Sequence, residues 1–158
     1  MKMSTNKLNL FLENARLLSD KFNIVPLLYG SLGLEYLTGD ALDVDDIDIL
    51  VPRVFITHRW QEFKAVLEEH RYVLVDEHEH TFARDGVAYS YADIEDLEYF
   101  AGINTEAIEV REVDGVRFLL LSLEQYLAVY KQSSKDGYHV NVRQKKDADK
   151  IRFIESKL

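Results

Sequence analysis

Two aspartates one residue apart, Asp46 and Asp48, lie in the run Asp46-Ile47-Asp48-Ile49-Leu50-Val51. Carboxylates alternating with apolar residues are strand patterning, in which the two acids share a face while Ile47 and Ile49 pack behind them. Ionised carboxylates side by side repel each other and gain nothing from burial. A hard divalent cation relieves that repulsion, takes oxygen ligands and holds substrate phosphates at its open positions. Upstream, the apolar run 24–29 ends at Gly30-Ser31. Glycine lets a backbone approach a phosphate closely, and the helix N-terminus that follows offers free N–H groups to an anion. A chain with 28 Asp and Glu residues contains an Asp-x-Asp by chance. The combination with Gly30-Ser31 is what points to phosphate and metal chemistry.

Periodicity supplies the elements that position these groups. Leu8, Phe11, Ala15, Leu18 and Phe22 recur at three- and four-residue steps and predict a helix over 4–22. A strand over 24–29, a helical turn or two over 32–37, a Gly- and Asp-rich loop and the Asp-x-Asp strand follow. Thr57 is expected to cap a helix over 58–70 that turns Phe63, Val66 and Leu67 to the sheet. A strand over 72–75 leads to the charged run 76–80, where His78 and His80 share a face if the strand continues. An exposed polar end is the expected reading there, ahead of a transition-metal pair. Asp85-Gly86 and Asp114-Gly115 predict hairpins, the first joining 81–83 to 87–94 and the second joining 107–113 to 116–121. Ser122 and Gln125 have capping-box spacing before a helix carrying Leu123, Tyr126, Leu127 and Tyr130. A last helix is expected over 144–158. Trp60, near a helix start, reads as packing.

The stretch 27–52, through Gly30, Ser31, Asp46 and Asp48, resembles the signature of the nucleotidyltransferase superfamily (the DNA polymerase β-like fold). That signature is a Gly-Gly or Gly-Ser pair, a helix, then aspartates alternating with apolar residues on the next strand. The spacing is similar to the branch containing antibiotic nucleotidyltransferases and abortive-infection or toxin-type proteins, with Leu34, Leu37 and Gly39 near its Leu-x-x-Leu-x-Gly. The C-terminal third resembles the same branch: a hairpin into a Ser-x-Glu helix ending in Lys131, then Arg143 and Lys146-Asp147 before Ile151. One extra residue precedes Lys146-Asp147, and Lys150 stands where an acidic residue is common.

The resemblance implies an α/β (α+β) fold, a single domain over 1–158 with a mixed sheet flanked by helices and a C-terminal helical pair over about 122–158. It implies Mg²⁺ or Mn²⁺ held by Asp46 and Asp48, and an NTP substrate whose triphosphate lies against Gly30 and Ser31. A third carboxylate from a later strand would complete the metal site and deprotonate an acceptor hydroxyl. Asp93 is the first choice and Glu95 the second, with a solvated strand end as the alternative for both. Lys131 is implied as a phosphate-binding or Asp46/Asp48-pairing cation, while Lys145 and Lys146 read as a solvated helix end.

Composition bounds the rest. A chain of 158 residues is one domain by size, with enough apolar residues for a core. No run approaches the ~20 apolar residues that span a bilayer, and no charged-then-apolar leader opens the chain. The lack of cysteine excludes disulfides and thiolate metal sites and agrees with a cytoplasmic setting. A net charge of −9 argues against broad nucleic-acid binding. Nucleic acid is therefore the least favoured acceptor, behind a small molecule or a protein. P-loop, dinucleotide-fold, nucleophile-elbow and EF-hand patterns are all missing. The expectation is a Mg-dependent nucleotidyltransferase that moves a nucleoside monophosphate from an NTP to an unidentified hydroxyl. The short chain leaves little room for acceptor binding, so a homodimer or partner protein would supply it. Two other classes fit: a catalytically degenerate nucleotide- or partner-binding member, and the nucleotidyltransferase half of a toxin–antitoxin or defence pair.

Overall fold

The computed structural model describes residues 5–135 and 140–158, with side chains for 6–134 and 147–158. The amphipathic stripe at the start folds as α1 (Thr5–Phe22), which buries Phe11, Ala15 and Leu18 against the sheet. Strand β1 (Leu27–Tyr29) breaks directly into α2 (Gly30–Thr38), and β2 (Ile47–Val51) returns beside β1. After a 3-10 turn (Arg53–Ile56) come α3 (Trp60–Glu69), β3 (Val73–Asp76), β4 (Thr81–Arg84), β5 (Val87–Asp93) and α4 (Asp96–Ala101). A hairpin of β6 (Glu109–Val113) and β7 (Val116–Leu120) then leads to α5 (Leu123–Lys135) and α6 (Val140–Glu155).

The strands form one mixed sheet in the order β3-β4-β5-β2-β1-β7-β6. β2 runs antiparallel to β1 and parallel to β5, while β1 runs parallel to β7. Strand alternation divides the apolar residues between two cores. Ile47, Ile49, Val51, Tyr89 and Tyr91 face α1 and α3, with Phe11, Phe63 and Leu67. Leu27, Leu50 and Leu121 face the other way and pack with Leu97, Tyr126, Val129 and Ile154 of α4, α5 and α6. Asp48 shares parity with Leu50, so the sheet presents it on the α4–α5–α6 side.

Most predicted elements are found with shifted ends. Asp46 lies in a bend just ahead of β2 instead of within it. Thr57 does not cap α3, which starts at Trp60; its hydroxyl donates to the Arg53 carbonyl at 2.8 Å, closing the 3-10 turn. Residues 77–80 are a turn, so His78 and His80 do not form a strand pair. The His80 ring instead lies edge-on to Trp60, 4.8 Å between centroids, and Trp60 packs on Phe63 and Phe82. Both hairpin turns have positive φ at Asp-Gly (Asp85 52°, Gly86 80°; Asp114 50°, Gly115 78°), as twisted two-residue turns require. The Ser122–Gln125 capping box is complete: the Ser122 N–H donates to Gln125 Oε1 at 2.8 Å, and the Gln125 N–H to Ser122 Oγ at 3.2 Å. Among the described residues no helix is long and apolar enough to cross a membrane.

Candidate nucleotide site

The site begins where β1 turns into α2. Gly30 adopts φ +63°, and a Cβ placed on it would collide with Asp48 Oδ2 from the neighbouring strand. Any other residue here would be strained in backbone and would push the carboxylate away. The Gly30 carbonyl accepts a 3.0 Å hydrogen bond from the buried Tyr126 hydroxyl, which ties the turn to α5. Ser31 sits in the first turn of α2, where the helix leaves its N–H groups without intrahelical partners. Gly30, Ser31 and Asp48 are thus brought together as the sequence predicts.

Asp48 is mostly buried, and burial, reinforced by the charge of Asp46, pushes its carboxyl up to about 6. Asp46 itself is exposed, in the bend just ahead of β2. Two carboxylates offering only oxygen, with the Asp48 pKa held up by burial and by its neighbour's charge, suit a hard cation such as Mg²⁺. Among the described residues no three His, Asp or Glu side chains form a ready-made metal cage. Mg²⁺ needs none when one or two carboxylates and substrate phosphates supply its ligands.

The third carboxylate expected on β5, Asp93, lines the same cavity as Asp48 but is held there by other groups. Asp48 is paired laterally with Ser90, and Val51 with Asp93. Ala88, Ser90 and Ala92 are the β5 residues that share Asp48's face, and none is acidic. Asp93 stands at the end of β5, three residues or ~10 Å beyond Ser90, and lines the cavity there. Only 8% exposed, it is engaged by the Arg53 guanidinium and accepts the Glu95 N–H at 2.8 Å. Glu95 is exposed beyond the strand end, where its carboxylate accepts the Arg53 N–H at 3.3 Å. Arg53 also reaches Asp96 at 3.4 Å. Asp93, in the cavity wall, and Glu95 are thus both tied to Arg53. The Thr81 hydroxyl meets Ser90 Oγ at 2.8 Å, so the face beside Asp48 is hydroxylic.

Lys131, the implied phosphate cation, is exposed on α5 and its side chain makes no ion pair among the described residues. Arg143, Lys145 and Lys146 lie outside the described side chains. Two residues of α6 with no predicted role do reach the site. Lys150 Nζ donates to Ser31 Oγ at 3.2 Å. Asp147, one turn earlier on the same helix face, is 5% exposed, and its Oδ2 has no hydrogen-bond partner. Their signal in the sequence was the three-residue spacing, which puts them on one side of a helix.

Gly30, Ser31, Asp48, Ser90, Tyr130 and Asp147 line a common cavity of about 670 Å³. Tyr130 senses both acids: burial first, then Asp48 and Asp147, push its phenol up to about 12. Its ring stacks on Tyr126, and Tyr126 on Tyr29, at centroid distances of 6.1 and 6.3 Å. An adjoining hollow of about 440 Å³, lined by Tyr29, Leu50, Leu97, Tyr99 and Phe100, is mainly apolar.

Comparison with solved structures places this architecture. An antigenic nucleotidyltransferase-like protein from Paracoccidioides brasiliensis superposes with a TM-score of 0.64 at 18% identity, covering 98% of this chain and 78% of that one. ANT(2″)-Ia in complex with adenylyl-2″-tobramycin gives 0.62 at 16% identity, covering 98% and 90%. A putative nucleotidyltransferase from Thermotoga maritima gives 0.53 at 18% identity, covering 99% and 97%. The fold is that of the nucleotidyltransferase superfamily. No protein-family model matches the chain. It is, however, 39% identical over 146 residues to the uncharacterized protein YnaI of Bacillus subtilis (strain 168), covering 92% of this chain and 94% of that protein, and it belongs to that protein's family.

Proposed function

We propose that residues 1–158 form one nucleotidyltransferase domain that binds an NTP with Mg²⁺ and transfers its nucleoside monophosphate to a hydroxyl. The observation that carries this reading is the Asp48 carboxylate set against Gly30 and the first turn of α2, inside an open cavity. Asp46 and Asp48 would hold the cation. Mg²⁺ supplies charge neutralisation at the phosphates and polarises the phosphorus under attack. The triphosphate lies along Gly30 and Ser31, where a missing Cβ and free N–H groups admit phosphate oxygens.

Proton removal is given to Asp147 in preference to Asp93, because Asp93 is already engaged by the Arg53 guanidinium and the Glu95 N–H. Asp147 is the buried acid with an unpartnered oxygen in the cavity. In this reading the acceptor O–H gives its proton to Asp147, the acceptor oxygen bonds the α-phosphorus, and the bond to pyrophosphate breaks. The adenylyl-2″-tobramycin complex of ANT(2″)-Ia is consistent with such chemistry on this fold. A second reading, nucleotide binding without transfer, is favoured by Ser90 at the place laterally opposite Asp48.

Pyrophosphate release from each Mg·NTP, measured against a panel of hydroxyl acceptors, separates the two. Transfer predicts release that falls about 10²-fold or more in Asp147→Asn with NTP affinity unchanged. Tight NTP binding with no release for any acceptor would establish the second reading instead.

A further inference from the structure

We propose that Lys150, rather than Lys131, is the cation that meets the nucleotide's phosphates; this rests on the reading of the site given above. Lys150 is half-buried where α6 crosses the start of α2, and its ammonium donates to Ser31 Oγ at 3.2 Å. An ammonium has three donors, and Ser31 accounts for one. Among the described residues no carboxylate lies within ion-pair distance of it. Asp43 is the acid whose charge it senses, and burial pushes its pKa down.

A half-buried cation without a counter-ion carries an uncompensated desolvation cost. Here it points at a helix N-terminus, which is itself electropositive. Two positive features converging on Gly30-Ser31 form an anion site opposite the acidic Asp46–Asp48 pair. A polyphosphate bridging the two, metal-bound on one side and ammonium-bound on the other, satisfies both. Lys131 lies exposed on α5, whereas Lys150 contacts the residue that opens the phosphate cradle.

The test is calorimetric titration of inorganic tripolyphosphate and of ATP, each with Mg²⁺, into wild type and Lys150→Met, Lys150→Arg and Lys131→Met. A charge-assisted phosphate contact predicts that Lys150→Met weakens both ligands by roughly 10- to 100-fold. Lys150→Arg recovers part of the loss, and Lys131→Met matches wild type. Thermal melts control for folding: the methionine keeps the apolar stem and removes the buried charge, so it melts no lower than wild type. Equal binding by wild type and Lys150→Met, or a loss confined to Lys131→Met, overturns the proposal alone. A wild type that binds neither ligand overturns the site reading together with it.

Discussion

Asp48 stores a cost that a ligand can release. Its pKa is raised from 3.8 to about 6, so the folded state resists the ionisation that the unfolded chain accepts freely. Below pH ~4 the carboxyl is neutral in both states and costs nothing. As pH rises from ~4 through ~6 the unfolded state loses its proton first, and stability declines by an amount on the order of 2–3 kcal/mol. Asp48→Asn removes that decline. Denaturation of the ligand-free protein should show the variant more stable than wild type at pH 7–8 and equal to it near pH 3.5. A variant less stable at neutral pH would mean that an unnoticed partner satisfies the carboxylate. That Asp48 lies beside Gly30 and Ser31 was legible in the sequence because the pattern is local: a glycine at a strand end and an acid on the next strand.

At the scale of elements, the end of β5 is where local pattern says least. Asp93 sits in Val87-Ala-Tyr-Ser-Tyr-Ala-Asp93, and a one-residue change of parity decides which face it joins. The large aromatics Tyr89 and Tyr91 mark the buried α1–α3 face, whereas Asp93 at the strand end lines the cavity that holds Asp48. That alternation was present in the sequence, but the strand's lateral register against Asp48, which puts Ser90 opposite it, was not. Asp93 also anchors Arg53 and the turn into α4. Asp93→Asn should therefore cost about 1–3 kcal/mol of stability, as expected for weakening a buried charged hydrogen bond, while leaving Mg·ATP affinity within about twofold of wild type. Loss of nucleotide binding at unchanged stability would return Asp93 to the active site. The roles of Asp147 and Lys150 were hidden for a different reason. Lys150 and Ser31 are 119 positions apart and meet because α6, packed on α5, carries Lys150 to the first turn of α2.

At the scale of the whole molecule, one sheet organises two unlike faces. The α1–α3 face is a closed apolar core, whereas the α4–α6 face opens at the Asp48 end into a cavity of about 670 Å³. That volume lies in the range of small-molecule sites, and the apolar hollow beside it offers room for a base or an acceptor. A net charge of −9 does not oppose nucleotide binding when a divalent cation and a lysine meet the phosphates. The mixed fold, the capping box and both Asp-Gly hairpins were readable beforehand; the packing of α6 that completes the cavity was not. The most direct test is calorimetric titration of Mg·ATP and the other Mg·NTPs into wild type and Asp46→Asn/Asp48→Asn. The account predicts binding by wild type that vanishes when Mg²⁺ is chelated and in the double variant. Binding of equal strength to both proteins, or binding indifferent to Mg²⁺, would contradict it.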